Sequence, residues 1–383
     1  MTVRLDIGCG ETCAPGHTPV DIKHGDRAFP LALGDATADE IRASHVLEHF
    51  GHRNIAAVLA DWVRVLKPGG LLRVAVPDFE RIARAYLDGH PIPVQGYVMG
   101  GQVDKYDHHG AIFDAEALTE AMAGAGLIGI TRWTSEQKDC AALPISLNLQ
   151  GTKPPETWPK VAAVMSTPRL GWNDMWGCAL ESLGRLGIKL TKHTGAFWEQ
   201  CITRAMDEAL TADPEYILTL DYDTVFTAGD VQTLLLSAMR NDADAVAALQ
   251  VHRTKPTPLL TIGKDDGSNA SHVPWETFAG ELTRCRTAHF GLTLLRADKL
   301  RHLDRPWFHG QPNIGGEWGD ERVDPDISFW RYWELAGNSL YVANRVPVGH
   351  LEVMVRWPGR DMHATWQHPS DYHATGKPGD VWR

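Results

Sequence analysis

The sequence lacks three features that would place it in a specialised class of protein. It has no apolar run near the ~18 residues that a membrane-spanning helix needs. Its six cysteines show neither the paired spacing of a metal site nor the pattern of a small disulfide-linked domain. Neither half is basic, and the formal charge of −11 argues against a nucleic-acid partner held through its phosphates. We therefore expect a cytoplasmic protein with reduced thiols and no membrane span.

The length and the composition predict two α/β domains. At 383 residues and 43% apolar composition, the chain can fill two cores. Residues 1–149 alternate short apolar runs with helical patterns, and residues 160–355 repeat this alternation, which is typical of sheets with crossover helices. Residues 150–159 hold three prolines and no periodicity, so we expect a linker there. Residues 356–383 are predicted to lie as a tail on the second domain.

Periodicity and turn signals predict the main helices and strands. The predicted strands are 3–7, 70–76, 127–130, 161–165, 216–220, 245–249, 288–295 and 340–348. The predicted helices are 45–51, 55–66, 115–125 and 198–210.

Glycines and a distal acid mark the first strand of the N-terminal domain. Gly8 and Gly10 follow that strand, where the absence of a side chain lets a ligand approach the backbone. Asp21 follows the next apolar stretch, and its carboxylate suits the hydroxyls of a ribose. The pattern indicates a nucleoside-binding edge.

With these motifs in place, residues 3–140 resemble the class I S-adenosylmethionine-dependent methyltransferases, in particular a compact bacterial and phage type. The matching segments are 5–10, 39–49, 62–70 and 76–78. The resemblance implies a Rossmann-like fold that binds S-adenosylmethionine. It also implies that Asp21 holds the ribose of this cofactor. The turn that contacts the methionine part of the cofactor would be formed by Asp6, Gly8, Cys9 and Gly10.

Two departures from that family leave a second interpretation open. Glu11 stands where many members have a third glycine, and only ten residues separate Gly10 from Asp21, which leaves little room for the usual first helix. The alternative is a retained fold that serves as a scaffold without cofactor.

A histidine motif in the same domain matches a zinc-protease spacing. His45, Glu48 and His49 follow the order His-x-x-Glu-His, with the two histidines at i and i+4. No third zinc ligand is evident from the sequence, so we interpret the segment as a helix start that lines the cofactor pocket. His108 and His109 are candidate residues on the acceptor side.

In the second domain, Asp221, Tyr222 and Asp223 follow an apolar strand. Carboxylates at i and i+2 suit Mg²⁺ or Mn²⁺, which proteins commonly hold together with substrate phosphates. His350 follows another strand and is an apt third ligand for Mn²⁺. Further candidates for binding a nucleotide donor are Thr167, Pro168 and Arg169, after strand 161–165, and Arg204, on helix 198–210.

Residues 160–352 taken as a set resemble the glycosyltransferases of the GT-A fold. The matching segments are 161–165, 167–168, 221–223, 290–296, 318–321, 326–330 and 348–350. The resemblance implies a nucleotide-diphosphate sugar donor, most commonly a UDP-sugar. It implies that Asp223 and His350 hold the metal, that Asp221 faces the ribose or the sugar, and that Tyr222 and Gly291 complete the donor side.

The resemblance gives two candidate catalytic residues. Inverting relatives have a base that matches Asp326. Segment 318–321, which ends at Glu321, is partly similar to a Trp-Gly-Gly-Glu segment of retaining relatives. We favour Asp326 as the base that accepts the proton of the acceptor hydroxyl. The sequence leaves the stereochemistry open.

The two resemblances together predict a two-domain enzyme. It would transfer a sugar to an acceptor and methylate either the sugar or the acceptor. The acceptor could be a polysaccharide, a protein or a modified base, and a homo-oligomer is compatible with the sequence. The alternatives are a glycosyltransferase with an inactive scaffold domain and a non-catalytic sugar-binding protein.

Overall fold

The computed structural model describes residues 2–168, 170–252, 257–264, 268–270, 273–319, 322–358, 363–379 and 381. The chain divides into two compact units, Met1–Trp158 and Pro159–Arg383. The division falls near the end of the predicted linker. Within the described residues, no helix has both the length and the apolar character needed to cross a membrane.

The N-terminal unit is built on one mixed six-stranded sheet. The strands are β1 Arg4–Ile7, β2 Thr18–Val20, β3 Ala38–Ser44, β4 Leu66–Pro77, β5 Ile128–Arg132 and β6 Ser146–Thr152. Their order across the sheet is β2-β1-β3-β4-β6-β5. The first four strands are parallel, whereas β6 runs antiparallel to both of its neighbours. This is a Rossmann-like arrangement with its parallel strand ends on one edge.

Four helices accompany this sheet, and the first of them contributes most to the core. They are α1 Ile55–Val65, α2 Phe79–Leu87, α3 Val94–Met99 and α4 Ala115–Gly124. Val58, Leu59 and Trp62 of α1 are fully buried in one cluster with Ile7 of β1 and Ile41 of β3. This spacing puts the apolar side chains of α1 on one helical face.

Two predictions for the N-terminal unit were wrong. The predicted helix 45–51 is only a 3₁₀ turn over Leu47–His49, because His45 has a positive φ of 56° that a right-handed helix cannot accommodate. The first three residues of the predicted linker 150–159 belong to β6. There they pair with β4 and β5, so their backbone hydrogen bonds are satisfied within the sheet.

The C-terminal unit contains a seven-stranded mixed sheet with the order β13-β16-β11-β15-β9-β7-β8. The strands of the unit are β7 Val161–Thr167, β8 Lys189–Thr194, β9 Tyr216–Leu220, β10 Thr224–Val225, β11 Ala245–Leu249, β12 Leu260–Thr261, β13 Leu282–Arg284, β14 Thr287–Ala288, β15 Leu292–Arg296, β16 Leu340–Pro347, β17 Gly349–His350, β18 Val355–Pro358 and β19 Ala364–Gln367. Three short pairs, β10–β17, β12–β14 and β18–β19, lie outside the main sheet. The parallel strands β8, β7 and β9 are adjacent, so they end on a common edge.

The helices of the C-terminal unit enclose an aromatic core. They are α5 Asn173–Leu186, α6 Trp198–Leu210, α7 Ala228–Arg240, α8 Ala297–His302, α9 Pro325–Leu335 and α10 Pro369–Thr375. Phe329 and Trp330 of α9 stack on Phe308 and Phe290, with ring centroids 4.9 and 5.0 Å apart. This packing fixes the start of α9, where Asp326 lies.

The predicted tail 356–383 has more regular structure than the sequence indicated. Residues of β18 and β19 form an antiparallel pair, and α10 follows directly. Alternation in the strand segments is short and mixed with prolines and histidines, so the usual period-2 signal is too weak to recognise.

Candidate functional sites

In the N-terminal unit, the ends of β1, β2 and β3 border a cavity of ≈ 700 Å³, which is within the size range of small-molecule sites. Gly8, Asp21 and His45 follow the three strands in turn, and all three line the cavity. Residues 103–108 and His49 form another part of its wall. The cavity therefore lies where open parallel sheets bind their ligands.

Backbone hydrogen bonds hold the Asp21 carboxylate in place. Its Oδ2 accepts from the amide of Gly10 at 2.8 Å and its Oδ1 accepts from the amide of Lys23 at 2.9 Å. The residue is buried at the cavity wall. Since each carboxylate oxygen has a second lone pair, Asp21 can still accept hydrogen bonds from the hydroxyls of a ribose.

The Gly8 position has no room for a side chain. Its φ is +65°, and a Cβ atom there would lie 2.4 Å from Cγ2 of Val46. The glycine thus provides both a left-handed turn and the close contact with the segment after β3.

We expect Gly8→Ala to lower the free energy of unfolding by about 2–4 kcal/mol, because left-handed backbone strain adds to overpacking against Val46. Gly16→Ala is the matched control, since Gly16 has a φ of +74° but open space around it, and it should cost only about 1 kcal/mol. Chemical denaturation of both variants measures the difference. Equal losses would contradict the role assigned to the Val46 contact.

The structure places Asp6 and Cys9 differently from Gly8 and Asp21. Asp6 is fully buried, and its carboxylate accepts from the Ala14 amide at 2.8 Å and from Nη1 of Arg42 at 3.1 Å. Burial and the neighbouring Cys13 raise the pKa of Cys9 to about 12, so its thiol stays protonated at neutral pH. Neither residue is among those that line the cavity. Asp6 therefore stabilises the glycine turn without lining the cavity.

In the C-terminal unit, backbone pairing brings Asp223 and His350 together. Thr224 of β10 pairs with His350 of β17, and the Leu351 amide donates to the Asp223 carbonyl at 2.7 Å. The Nε2 atom of His350 lies 3.7 Å from Oδ2 of Asp223, while its Nδ1 lies 3.1 Å from the carbonyl oxygen of Val251. Imidazoles that bind metals are commonly oriented by such a contact to a carbonyl.

Asp221 lies close to the same group of side chains. Burial, together with the charge of Asp223, raises its pKa to about 6; the Trp198 indole donates a hydrogen bond at 3.3 Å and opposes this rise. The charge of Asp326 also contributes to the rise, and that of His350 opposes it. Since such effects act at short range, we group these four titratable residues as one candidate site. Its donor set of carboxylates and an imidazole fits Mn²⁺.

Asp326 lies in the first turn of α9, half-buried. Its Oδ1 accepts from the Ile327 amide at 2.9 Å, but burial outweighs this bond and raises the pKa of the carboxyl group. A carboxylate with a raised pKa is a better proton acceptor than an exposed one.

A small cavity beside this site collects part of the predicted nucleotide-binding set. Thr167, Pro168 and Tyr222 line its volume of ≈ 180 Å³. Lys192 and Trp176 also line it, with Nζ of Lys192 5.1 Å from the centroid of the Trp176 ring. The sequence reasoning missed these two residues. Lys192 and Thr194 are alternate residues of β8 and both line the cavity, and Lys192 adds a positive charge beside the acidic residues Asp221 and Asp223.

The other predicted residues of this unit have different positions. Arg204 is exposed on α6 and does not line the small cavity, because the opposite face of that helix carries its buried side chains. Gly291 leaves no space for a ligand: a Cβ there would lie 2.5 Å from Oγ1 of Thr224, so this glycine allows the strands to pack beside the aspartates. Arg169 and Glu321 lie outside the described residues.

Comparison with known proteins supports the N-terminal assignment. The family model described as "Methyltransferase domain" matches residues 9–74, which lie wholly in the N-terminal unit. That segment includes Asp21 and the whole of β2 and β3. A methyltransferase domain with a Rossmann-like fold is thus supported. No curated protein sequence matches the chain.

Several solved structures are similar to parts of the chain. A197 from STIV is 14% identical, with a TM-score of 0.37, and the match covers 55% of this chain and 94% of that one. A SAM-dependent methyltransferase from Archaeoglobus fulgidus is 16% identical, with a TM-score of 0.28 and coverage of 40% and 86%. A SAM-dependent methyltransferase from Thermotoga maritima, named a possible histamine N-methyltransferase, is 19% identical, with a TM-score of 0.27 and coverage of 40% and 83%.

Proposed function

We propose that the chain is a two-domain enzyme that transfers a methyl group in its N-terminal unit and a sugar in its C-terminal unit. The observation that supports sugar transfer is the convergence of Asp221, Asp223, His350 and Asp326 on one site. The methyl-transfer half is supported by the match to a methyltransferase domain and by the cavity that Gly8 and Asp21 line.

In the C-terminal unit, the residues divide into a donor side and an acceptor side. Asp223 and His350 would hold a divalent ion, Mn²⁺ or Mg²⁺, which supplies positive charge to the leaving nucleotide diphosphate. Asp221 would orient the ribose or the sugar of the donor, and Lys192 would pair with its phosphates. Asp326 would accept the proton of the acceptor hydroxyl during attack on the sugar carbon. Its raised pKa suits this role.

In the N-terminal unit, Asp21 would hold the ribose hydroxyls of S-adenosylmethionine, which supplies the methyl group. Gly8 would let the cofactor approach the backbone at the end of β1. His45, His49 and residues 103–108 line the rest of the cavity, where an acceptor would be placed.

A panel of nucleotide sugars tests the C-terminal assignment. We expect one donor, with a UDP-sugar as the first candidate, to raise the melting temperature of the chain in the presence of Mn²⁺. The chain should also hydrolyse this donor slowly when no acceptor is present. The same donor without Mn²⁺ should give a much smaller effect. Absence of both stabilisation and hydrolysis across the panel would refute the assignment. Stabilisation without hydrolysis, even with candidate acceptors present, would favour a sugar-binding protein.

Binding of Mn²⁺ is expected to weaken below about pH 6. The pKa of Asp221 is raised to about 6, so the folded chain binds the proton of this carboxyl group more tightly than the unfolded chain does. Protonated Asp221 therefore contributes to the free energy of unfolding at low pH, and this contribution is lost as the pH rises from about 4 to about 6. A metal ion bound beside Asp221 competes with this proton. The apparent affinity for Mn²⁺ should therefore fall up to about tenfold for each pH unit below about 6. Calorimetric titration of wild-type chain and Asp221→Asn at several pH values checks this. An equally steep pH dependence in the variant would show that Asp221 is not the group involved.

The N-terminal unit has a second interpretation, in which it transfers no methyl group. Residues 8–17, between β1 and β2, form turns rather than a helix, which favours a scaffold domain that binds no cofactor. Calorimetry with S-adenosylhomocysteine separates the two, since a cofactor site gives measurable heat. Incubation of labelled S-adenosylmethionine with the sugar-transfer product then tests activity. Cofactor binding without methyl incorporation into any tested product would count against methylation of that product.

A further inference from the structure

We propose that Glu48, His49 and His109 form a binding site for a borderline divalent cation such as Zn²⁺ in the N-terminal unit. One ligand atom from each residue lies within 4.8 Å of the others. His49 also lines the large cavity, so the site adjoins the space where a substrate would bind. This site is separate from the aspartates of the C-terminal unit and does not depend on sugar transfer.

The Glu48 side chain gives the first reason for this assignment. It is only 1% exposed, and among the described residues neither carboxylate oxygen accepts a hydrogen bond. Nδ1 of His45 lies 3.2 Å from Oε1 of Glu48. A buried carboxylate without donors is strongly unfavourable, and a bound cation is one of the few partners that satisfy both oxygens.

The two histidines give an independent reason. Nδ1 of His49 lies 3.2 Å from the carbonyl oxygen of His108, and Nδ1 of His109 lies 3.1 Å from that of Tyr97. A carbonyl oxygen only accepts, so each Nδ1 carries the hydrogen and each Nε2 keeps a lone pair. Metal-binding histidines are typically oriented in this way. The rings meet edge to face, with their centroids 5.0 Å apart.

An ion pair between His45 and Glu48 is the competing explanation. Nδ2 of Asn148 donates to the Ala141 carbonyl, and Oγ of Ser146 donates to Oδ1 of Asn148. Nε2 of His45, 2.9 Å from that Oγ, must therefore be the donor. Its Nδ1 then faces Glu48 either as a lone pair or as the second N–H of an imidazolium. The imidazolium would neutralise Glu48 without a metal, but it leaves the orientation of His49 and His109 unexplained.

The donor set determines which cations fit. Two imidazole nitrogens and one carboxylate suit Zn²⁺ and its neighbours in the first transition series, whereas Mg²⁺ and Ca²⁺ prefer sites made of oxygen ligands. A second group of possible ligands among the described residues, Asp6 with Cys9 and Cys13, is a weaker candidate, because the Asp6 carboxylate already accepts from Arg42 and Ala14.

Zinc binding to the full chain tests the proposal. The background carries Asp223→Ala and His350→Ala, which remove the other candidate metal site, and the protein is freed of metal with a chelator. Titration with ZnCl₂ should show one site whose affinity falls at least about tenfold in Glu48→Gln and in His109→Ala. His52→Ala, which removes an exposed histidine three residues after His49, and Cys13→Ser should bind like the background. MgCl₂ should give no comparable site.

Thermal unfolding separates loss of the site from loss of the fold. Glu48→Gln nearly preserves shape, so it should melt cooperatively without zinc, and zinc should raise the melting temperature of the background but not of this variant. The proposal is overturned if the background binds no zinc, as the His45–Glu48 ion pair predicts. It is also overturned if Glu48→Gln and His109→Ala bind zinc as tightly as the background, or if only Cys13→Ser loses it.

Discussion

Asp223→Ala is expected to lower metal-dependent sugar transfer by about 10³-fold, the largest loss we predict for any single substitution. Asp223 is almost fully buried, and Nε2 of His350 lies 3.7 Å from its Oδ2. Removing the carboxylate leaves the imidazole without its metal-binding partner, so the charge of the leaving diphosphate is no longer neutralised. Turnover of the donor identified in the panel, measured with saturating Mn²⁺, gives the result.

The control for this variant removes an exposed carboxylate from the same unit. Glu181 pairs with Arg185 on the surface of α5, and Glu181→Gln should leave turnover unchanged within about twofold. Binding of S-adenosylhomocysteine should be the same in both variants, because the cofactor cavity is in the other unit. If Asp223→Ala kept more than a tenth of the activity, the metal would have to be held by other residues.

The strand-end positions of both sites could be predicted from the sequence. Asp21 and Asp221 each follow a short apolar run, and parallel strands place such residues together on one edge. The regular apolar period of α1 and the continuous apolar run of β9 made these elements recognisable as well. Local pattern was sufficient because each of these segments buries an apolar face.

Elements with buried charges were harder to predict. The strand β3 contains Glu40 and Arg42, which obscure the apolar pattern of a central parallel strand. In the fold, Nη1 of Arg73 lies 3.0 Å from Glu40, and Arg42 pairs with Asp6 and Asp139. The partners come from distant parts of the chain, so a local window cannot reveal that these charges are compatible with burial.

Long-range proximity explains the remaining gaps in the site prediction. His49 and His109 are sixty positions apart, yet the turn after β3 and the loop before α4 bring their rings together. In the proposed cation site, His109 therefore joins Glu48 and His49 from a distant loop that a local pattern does not connect to them. Likewise Trp198 reaches Asp221 only because α6 packs beside the sheet. Such contacts depend on the tertiary fold.

Asp21→Asn is expected to weaken binding of S-adenosylhomocysteine about 100-fold. A carboxylate that accepts hydrogen bonds from two ribose hydroxyls contributes about 1.5–3 kcal/mol for each bond, and an amide presents only one acceptor oxygen. The substitution preserves size, and an asparagine oxygen can still accept from one of the amides of Gly10 and Lys23. Calorimetric titration of the full chain measures the change in affinity.

Asp26→Asn is the matched control, because Asp26 is an exposed carboxylate five positions away in the same loop. It should bind S-adenosylhomocysteine like the wild-type chain, and both variants should transfer sugar normally. Equal affinity in Asp21→Asn and wild-type chain would mean that the cofactor is not held through Asp21. Absence of binding in wild-type chain would instead favour the scaffold interpretation. These two outcomes are distinguishable. Titration of the wild-type chain shows whether the cavity binds the cofactor, and titration of the variants shows whether Asp21 holds it.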